Sequence, residues 1–246
     1  MDKPAIKTDQ LTKRFGDFTA ADGLTFEVAR GEIFGFLGAN GAGKTTAIRM
    51  LCGLSRPTSG SASVAGFDVY RQADQIKSHI GYMSQRFSLY EDLTVWENIR
   101  FYGGIYGVSD HDIREKGKAM IHTLGLTAEA DKRVGQLPLG WKQKLAFSVA
   151  VLHQPAIVFL DEPTGGVDPI TRRQFWELIY QASAQHITVF VTTHYMDEAE
   201  YCDRISMMVD GKIRALATPA QLKAQFGAKS MDEVFYVLAR QAKRSD

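Results

Sequence analysis

The clearest chemical signal in the sequence is the segment GANGAGKTT at residues 38–46, which fits G-x-x-x-x-G-K-[ST] at every fixed position. Glycines in this pattern let consecutive backbone N–H groups point at one phosphate, beside a helix N-terminus that favours an anion. Lys44 is expected to reach the β- and γ-phosphates, Thr45 to offer its hydroxyl to Mg²⁺, and Thr46 to support the neighbouring phosphate. All residues of this phosphate-binding loop are predicted to bind a nucleotide: Gly38, Ala39, Asn40, Gly41, Ala42, Gly43, Lys44, Thr45 and Thr46.

A pair of carboxylates, Asp161 and Glu162, follows the apolar run at residues 156–160. In open parallel sheets, ligands bind beyond the carboxyl ends of the strands. Asp161 is therefore expected to hold Mg²⁺, and Glu162 to act as the general base that polarises the attacking water. Two solvated turn carboxylates are the alternative, but an apolar run that ends in Asp-Glu is specific once a phosphate-binding loop precedes it.

Three further strands are predicted around these residues. Residues 33–37 (IFGFL) read as a buried parallel strand before the loop, and the helix after the loop covers residues 45–51. A strand at 79–83 ends beside Gln85, whose amide could reach a metal-bound water. A strand at 187–192 ends at His194, which could contact a γ-phosphate and orient the water. Taken alone, such a Gln is more often a solvated loop residue and such a His a structural one.

The first 30 residues carry short alternating runs with turn signals at Gly16-Asp17 and Asp22-Gly23. This pattern predicts a small antiparallel sheet upstream of the loop. Phe15 lies in it, where its ring could stack on a nucleotide base for about 1–3 kcal/mol. Core packing is the competing interpretation for this ring.

From about residue 88 to 150 the apolar period changes from 2 to 3.6, which predicts a helical insertion. Thr94 opens one helix with a capping box, Ser109 starts a second, and a third begins near Pro138. Asp168 is an N-cap followed by Pro169 at the first helical position. A hairpin turned at residues 210–211 and two helices complete the chain over about 212–246. The basic end at 240–244 reads most simply as a solvated helix end, and a contact with a membrane surface or a partner is the alternative. We expect one domain over 1–246.

Composition narrows the class of protein. The 246 residues include 29 Lys or Arg and 28 Asp or Glu, a net charge of +1, which gives no electrostatic reason to expect nucleic acid as a partner. Cys52 and Cys202 lack metal-type spacing and predict reduced, packed thiols in the cytosol. No apolar run approaches the ~20 residues of a membrane-spanning helix, and residues 1–4 do not resemble a signal peptide. Any membrane role is therefore expected to come through a partner.

Taken in order, these elements resemble the nucleotide-binding domains of ATP-binding cassette (ABC) proteins, over residues 6–238. The resemblance implies an α/β fold: a P-loop NTPase core with a mostly parallel sheet, an N-terminal antiparallel β subdomain and an inserted α-helical subdomain. It implies an ATPase that uses ATP and Mg²⁺, with Phe15 stacked on adenine. Gln85 corresponds to the residue that senses Mg²⁺ and touches the transmembrane partner. Asp168 corresponds to the D-loop residue and His194 to the switch histidine.

Two segments, THYMDEA at 193–199 and MDEVF at 231–235, are similar to the exporter branch called ABC-2, which includes drug and antibiotic efflux ATPases. This resemblance implies a subunit that dimerises around ATP and energises a separate permease. It also implies export of drug-like or lipid-like cargo and a position at the cytoplasmic face of the inner or plasma membrane. The cargo itself is not expected to contact this chain.

One motif departs from the family. Where the family usually reads LSGGQ, this chain reads LPLGW at 137–141. The Ser hydroxyl and one Gly, which in the family contact the γ-phosphate of the opposite subunit, are absent. The N–H groups of Leu139 and Gly140 at a helix N-terminus are still expected to attract a γ-phosphate. The Leu-Pro-Leu-Gly segment resembles those of tandem ABC-2 ATPases, which fuse two nucleotide-binding halves. The resemblance implies that the chain is one half of such a protein or a free-standing relative, paired with a second cassette.

Two other functions compete with transport. A soluble ABC ATPase of DNA repair or translation would carry a long coiled-coil insertion, or two cassettes with a basic linker, and neither is present in this sequence. A P-loop GTPase or small-molecule kinase is disfavoured by the helical insertion and by the order of Gln85, Asp161, Glu162 and His194. The lack of an Asn-Lys-x-Asp base-reading motif also argues against a GTPase.

Overall fold

The computed structural model describes residues 3–85 and 89–242. Its strands are β1 Ile6–Phe15, β2 Phe18–Val28, β3 Ile33–Gly38, β4 Ser59–Val64, β5 Phe67–Asp68, β6 Ile80–Met83, β7 Ile157–Asp161, β8 Thr188–Thr193, β9 Arg204–Val209 and β10 Lys212–Ala217. Its α-helices are α1 Lys44–Leu51, α2 Ala73–His79, α3 Val95–Ile105, α4 Asp110–Thr123, α5 Leu139–Ala150, α6 Pro169–Ala184, α7 Pro219–Phe226 and α8 Met231–Ala242. Shorter 3-10 turns lie at Thr127–Glu129, Val134–Gln136 and Met196–Tyr201.

The larger sheet has six strands in the order β10-β9-β3-β8-β7-β6, and all neighbours are parallel except β10, which pairs antiparallel with β9. Strands β3, β7 and β8 are buried along their full length, because α5, α6 and α8 pack on one face of the sheet and α1 with the antiparallel sheet on the other. The predicted mostly parallel core is therefore confirmed. The strand order places β8 between β3 and β7. The phosphate-binding loop after β3 and the Asp161-Glu162 pair at the end of β7 are therefore separated by a single strand.

The smaller sheet is antiparallel, with the order β2-β1-β4-β5. The predicted turn at Gly16 is present, since β1 ends at Phe15 and β2 starts at Phe18. The turn predicted at Asp22-Gly23 is wrong, because both residues lie inside β2. Gly23 has a φ of 60° next to register shifts between β1 and β2, so the glycine accommodates an irregularity within a continuous strand.

The helical insertion contains α3, α4 and α5. The capping box at Thr94 and Glu97 is present, and the Ser109 side chain accepts a hydrogen bond from the backbone N–H of Asp112. Pro138 is the N-cap of α5, as its position before the periodic residues predicted. Residue 88, the predicted start of the insertion, lies outside the described residues.

The chain after β8 follows the sequence-based expectations in its hairpin and its last two helices. The hairpin of β9 and β10 turns at Asp210, and α7 begins with a capping box at Thr218. The expected acidic helix at Met196–Tyr201 is a 3-10 turn rather than an α-helix. The last helix, α8, reaches Ala242, and the rest of the basic end lies outside the described residues. Among the described residues, no helix combines the length and the apolar character needed to cross a membrane.

Both cysteines are buried free thiols, as predicted. Cys52 lies at the end of α1 and Cys202 follows the 3-10 turn before β9. Burial raises the pKa of each thiol well above its ordinary value. Both side chains therefore stay protonated and unreactive at neutral pH.

A cluster of phenylalanine rings joins the two sheets. Phe190 on β8 lies 5.3–6.1 Å, centroid to centroid, from its neighbours Phe26, Phe34, Phe36 and Phe159. Phe26 belongs to the antiparallel sheet, whereas the other rings belong to the parallel one. This packing fixes the orientation of one sheet against the other, and all five rings are almost fully buried.

We therefore expect Phe190→Ala to lower the free energy of unfolding by about 3–5 kcal/mol, because it removes a buried ring and leaves a cavity between the sheets. Urea denaturation followed by tryptophan fluorescence measures this loss. Tyr236→Ala is the control, since Tyr236 is 58% exposed on α8, and it should change the stability by less than about 0.5 kcal/mol. Equal effects of the two substitutions would contradict a structural role for the cluster.

Candidate functional site

The candidate site lies where four neighbouring parallel strands end. Strands β3, β8, β7 and β6 run in the same direction, so their carboxyl ends meet at one edge of the sheet. Beyond β3 lies the phosphate-binding loop, beyond β8 His194, beyond β7 Glu162, and beyond β6 Gln85. The sheet therefore brings together residues from four separate segments of the chain.

Backbone geometry explains the glycines of the loop. Gly41 and Gly43 have φ values of 83° and 103°, in a region that residues with a side chain rarely adopt. A Cβ atom on Gly43 would lie 2.0 Å from the carbonyl oxygen of Ala20 on β2. Gly43 thus permits both the turn into α1 and the close approach of β2 to the loop. The α1 helix begins at the next residue, Lys44, and its N-terminus faces the curve of the loop.

Lys44 is folded back into the loop. Its ammonium donates hydrogen bonds to the carbonyl oxygens of Gly38, at 2.7 Å, and Ala39, at 3.1 Å. It also forms an ion pair with Glu162, with Nζ 3.2 Å from Oε1. The side chain is 4% exposed, so its charge is held by neighbouring oxygens rather than by water. These partners place the ammonium where the terminal phosphates of a nucleotide would lie over the loop.

Glu162 is the point at which the segments converge. Besides the ion pair with Lys44, its Oε2 accepts a hydrogen bond from Gln85 Nε2 at 3.0 Å and lies 3.0 Å from Nδ1 of His194. Its backbone has a φ of 51°, in the left-handed region, and its N–H donates to Thr192 on β8. Strained backbone of this kind concentrates at functional sites. The structure thus brings the three residues predicted to be catalytic, Gln85, Glu162 and His194, into direct contact.

Asp161 is suited to a hard cation. Its Oδ1 accepts hydrogen bonds from Thr192, at 2.7 Å, and from Thr45, at 3.3 Å. Burial raises the pKa of this carboxyl, and the two hydroxyl donors offset part of that rise. The oxygens of Asp161, Thr45 and the Gln85 amide match the ligands that Mg²⁺ prefers, with phosphate and water oxygens completing its shell. A cluster of three or more carboxylate, imidazole or thiolate ligands is absent from the described residues, and a Mg²⁺ bound together with a nucleotide does not need one.

A cleft of about 230 Å³ lies over the loop. Its lining residues are Phe18, Ala20, Asn40, Gly41, Gly43, Lys44, Thr45, Thr46, Gln85 and Glu162. Phe18 is the aromatic residue on this wall, whereas Phe15 pairs with Phe18 across the hairpin and has Lys13 Nζ 5.0 Å from its ring. Both rings are more than half exposed. The assignment of Phe15 to the base stays a prediction, and Phe18 joins it as a residue of the same wall.

A second cavity, of about 280 Å³, lies between Gln85, Glu162 and the start of α5. Leu139 lines it, and so does Gln143, one turn later on the same helix. Gln143 is almost fully buried and donates a hydrogen bond to the carbonyl oxygen of Gly165 at 3.0 Å. The altered signature segment at residues 137–141 therefore lines, through Leu139, the same cavity as Glu162.

Gly140 and Asp168 are joined through Thr171 on α6. A Cβ atom on Gly140 would lie 2.4 Å from Cγ2 of Thr171, so α5 and α6 approach closely because residue 140 is glycine. Asp168 caps α6, accepting hydrogen bonds from the N–H groups of Ile170 and Thr171 and from the Thr171 hydroxyl. These bonds lower the pKa of Asp168. Its predicted contact with a nucleotide therefore competes with a well-satisfied capping role.

Sequence reasoning did not find Thr192, Gln143 or Phe18. Thr192 lies in β8 beside a second threonine, Thr193, and the sequence carries no signal for which of the two hydroxyls faces Asp161. Gln143 follows Leu139 by four residues, which puts both on one face of α5. Phe18 is adjacent to the predicted turn, where only the register of the hairpin decides which ring faces the loop.

This fold and site define a P-loop nucleoside triphosphatase. Within that class, the family model described as "ABC transporter" matches residues 21–165. The chain belongs to the ABC transporter family and is one of the ATP-binding cassettes of that family. Membership sets aside the GTPase and small-molecule kinase alternatives.

Relatives with curated names support the same family. The chain is 52% identical over 220 residues to "Probable multidrug ABC transporter ATP-binding protein YbhF" of Escherichia coli, which covers 89% of this chain and 38% of that protein. It is 36% identical over 236 residues to "Nod factor export ATP-binding protein I" of Paraburkholderia xenovorans, covering 96% of this chain and 78% of that one. The chain thus spans well under half the length of YbhF.

Solved structures show the same fold. The structure described as "ATP binding subunit of ABC transporter" superposes with a TM-score of 0.86 at 26% identity, covering 95% of this chain and 99% of that one. The superposition thus covers nearly the whole chain. The expected fold class is therefore confirmed.

The opposite pKa shifts of two aspartates predict opposite effects on stability. Because burial raises the pKa of Asp161, the ionised carboxylate is less favourable in the folded chain than in the unfolded one. Ionised Asp161 therefore lowers the free energy of unfolding at any pH above the ordinary pKa of an aspartate. Asp161→Asn should therefore raise the melting temperature of the chain at pH 7 in the presence of EDTA. Asp168→Asn is the matched control and should lower it, since hydrogen bonds favour the ionised form of Asp168.

Thermal unfolding followed by circular dichroism measures both shifts. As the pH falls below the ordinary pKa of an aspartate, Asp161 becomes protonated in both the folded and the unfolded chain, and the gain from Asp161→Asn should shrink. A lower melting temperature for Asp161→Asn at pH 7 would show that its hydrogen bonds outweigh the cost of burying the charge. Added Mg²⁺ and ATP should stabilise the unmodified chain more than the Asp161→Asn variant.

Proposed function

We propose that this cassette hydrolyses Mg-ATP while paired with a second cassette, and that the reaction drives a separate membrane permease in the direction of export. The observation that supports this most strongly is the position of Glu162. A carboxylate held by Lys44, Gln85 and His194 at the mouth of a phosphate-binding loop is placed to act on a water beside a γ-phosphate.

Each side chain has a distinct part in this proposal. Lys44 transfers its hydrogen bonds from Gly38 and Ala39 to the terminal phosphates when nucleotide binds, which releases Oε1 of Glu162. Glu162 then accepts a proton from the attacking water, and His194 orients that water and the phosphate. Asp161, Thr45 and Gln85 would supply oxygens for Mg²⁺, which when bound would neutralise charge on the phosphates.

The proposal of a permease partner is supported by an exposed aromatic surface on and beside α3. Tyr90 and Phe101 are 51% and 42% exposed, and their rings meet edge to face at 5.0 Å. Ile105, one turn further along α3, is 62% exposed. This surface follows Gln85 closely in the chain, so a partner seated on it is well placed to report on the site. An exposed apolar cluster of this kind marks an interaction surface.

Export is proposed from the relatives. YbhF carries "multidrug" in its name and the protein of Paraburkholderia xenovorans carries "Nod factor export". By analogy, the cargo here is drug-like or lipid-like and contacts the permease. The cassette would then bind at the cytoplasmic face of the inner or plasma membrane. A soluble relative that acts on nucleic acid or ribosomes is not favoured, because the net charge is +1.

Pairing with a second cassette is proposed from the position of α5. Its N-terminal residue Leu139 is 44% exposed at the rim of the cavity beside Glu162, and Asp168 is exposed at the start of α6. A second cassette would close over this exposed rim and place its signature helix above the phosphate-binding loop. In this arrangement residues 1–246 form one cassette, with the helical region at about 88–150 and the hairpin and helices at about 212–246.

Glu162→Gln tests the proposed base. The amide keeps the shape of the side chain but does not accept the proton, so hydrolysis should fall by roughly 10²–10⁴ while ATP still binds. Loss of a negative charge near the γ-phosphate should also favour the ATP-bound dimer, which light scattering detects. Glu177→Gln makes the same substitution at an exposed position of α6 and should change neither property. A monomer that hydrolyses ATP at the normal rate would rule out Glu162 as the base.

The altered signature predicts slow turnover by the chain alone. A missing preorganised donor to transition-state charge costs roughly 10²–10³ in rate. Pro138→Ser combined with Leu139→Gly should therefore raise ATP turnover by up to that factor without changing nucleotide affinity much. Gly140 is left in place because a Cβ there would strike Thr171.

The matched control is Pro138→Ala with Leu139→Gly, which differs from the test variant by a single hydroxyl oxygen. Only the seryl variant should gain activity, and mixing the unmodified chain with a cassette that has an intact Ser-Gly-Gly signature should have a similar effect. If the unmodified chain already hydrolyses ATP as fast as the seryl variant, its signature is competent and an asymmetric partner is not required.

A further inference from the structure

Behind His194 lies a stack of two side chains that no part of the predicted site uses. The ring of Tyr195 lies 4.2 Å, centroid to centroid, from the imidazole of His194, at an interplanar angle of 35°. Cζ of Arg172 lies 4.1 Å from the centroid of the same Tyr195 ring. A guanidinium this close to an aromatic face is held by cation–π attraction. The Tyr195 ring is therefore in contact with a cation and with the imidazole of His194.

Arg172 is in turn held by two acidic residues. Its NH1 lies 3.2 Å from Oδ2 of Asp197, and its Nε lies 3.7 Å from Oε1 of Glu198. Glu198 is fully buried, and the hydroxyl of Thr164, also buried, donates a hydrogen bond to its Oε1 at 2.5 Å. A buried carboxylate requires a compensating charge, so Arg172 has little freedom to leave this position.

These contacts form a closed ring of neighbouring residues around the site, called the circuit below. Thr164 follows Glu162 by two residues, and Arg172 lies in the first turn of α6, close after Asp168. Glu198 and Tyr195 follow His194 along the chain. The circuit thus runs from the Glu162 segment through Thr164, Glu198, Arg172 and Tyr195 to His194, and closes at the 3.0 Å contact between His194 Nδ1 and Glu162 Oε2.

We propose that Tyr195 is a positioning residue for ATP hydrolysis, which holds the His194 imidazole against Glu162 and is itself fixed by Arg172. The proposal rests on the hydrolytic function proposed above. His194 is 31% exposed, its Nδ1 meets Oε2 of Glu162 at 3.0 Å, and its ring meets the Tyr195 ring, which forms a wall that sets the tilt of the imidazole. Small misplacements of a catalytic group have large effects on rate.

The first test separates binding from turnover. Tyr195→Ala should lower the single-turnover rate of ATP hydrolysis by roughly ten- to a hundredfold, while the dissociation constant for ATP stays unchanged, because Tyr195 does not line the cleft over the loop. Tyr195→Phe keeps the ring and should recover most of the rate. Tyr236→Ala, an exposed aromatic on α8, is the control for nonspecific loss.

The second test observes His194 without relying on activity. The ¹H–¹³Cε1 signal of its imidazole is identified by its loss in His194→Ala. Tyr195→Ala should move this signal, and Tyr195→Phe should leave it close to its original position. Arg172→Lys keeps the positive charge beside Glu198 but does not present a flat guanidinium to the ring. It should move the same signal through Tyr195, although the structure shows no direct contact between Arg172 and His194.

The outcomes distinguish the inference from the function on which it rests. A normal rate in Tyr195→Ala, or a loss as large in Tyr195→Phe, would overturn the positioning role. An unchanged His194 signal in Arg172→Lys, with an unchanged rate, would overturn the part assigned to Arg172. If the unmodified chain does not hydrolyse ATP even when mixed with a cassette that has an intact signature, the hydrolytic function fails, whereas the imidazole signals still decide whether Tyr195 and Arg172 fix His194.

Discussion

The interaction on which the site depends is the sharing of one carboxylate by three segments of the chain. Lys44, Gln85 and His194 reach Glu162 because β3, β6, β7 and β8 are parallel neighbours and end at the same edge of the sheet. An antiparallel arrangement would send alternate strand ends to opposite edges. The parallel sheet is thus the condition for the chemistry, and its aromatic join to the second sheet brings β2 and Phe18 over the phosphate-binding loop.

Backbone constraints hold this arrangement as firmly as side chains do. Gly43 allows the chain to turn into α1 in close contact with the carbonyl oxygen of Ala20. Gly140 allows α5 to pack closely against Thr171. Glu162 adopts a left-handed conformation although it has a side chain, and its N–H is bonded to Thr192. The cost of this conformation, of order 1–3 kcal/mol, is offset by the surrounding packing. Glu162 therefore points out of the strand toward the loop rather than along it.

The contrast between Asp161 and Glu162 separates two tasks. Asp161 is buried among hydroxyl donors, where ionisation is unfavourable and a bound cation would relieve the cost. Glu162 lies one residue further, at the surface of the site, paired with a cation and two polar side chains. Adjacent carboxylates thus meet different surroundings because Asp161 ends β7, whereas Glu162 follows the strand with a left-handed backbone. The altered signature leaves both intact, so the departure of this chain from its family lies at the rim of the site.

The sequence alone determined the phosphate-binding loop, the Asp161-Glu162 pair, the helix caps and the parallel strands, because each depends on residues close together in the chain. It also placed Gln85 and His194 at strand ends, although it left structural roles open for both. Only the tertiary structure decided that β8 lies between β3 and β7, that Thr192 supports Asp161, and that Phe18 lines the cleft. Strand order, hairpin register and contacts such as Arg172 with Tyr195 depend on packing between distant segments. Local propensity and hydrophobic pattern carry no information about which of those segments become neighbours.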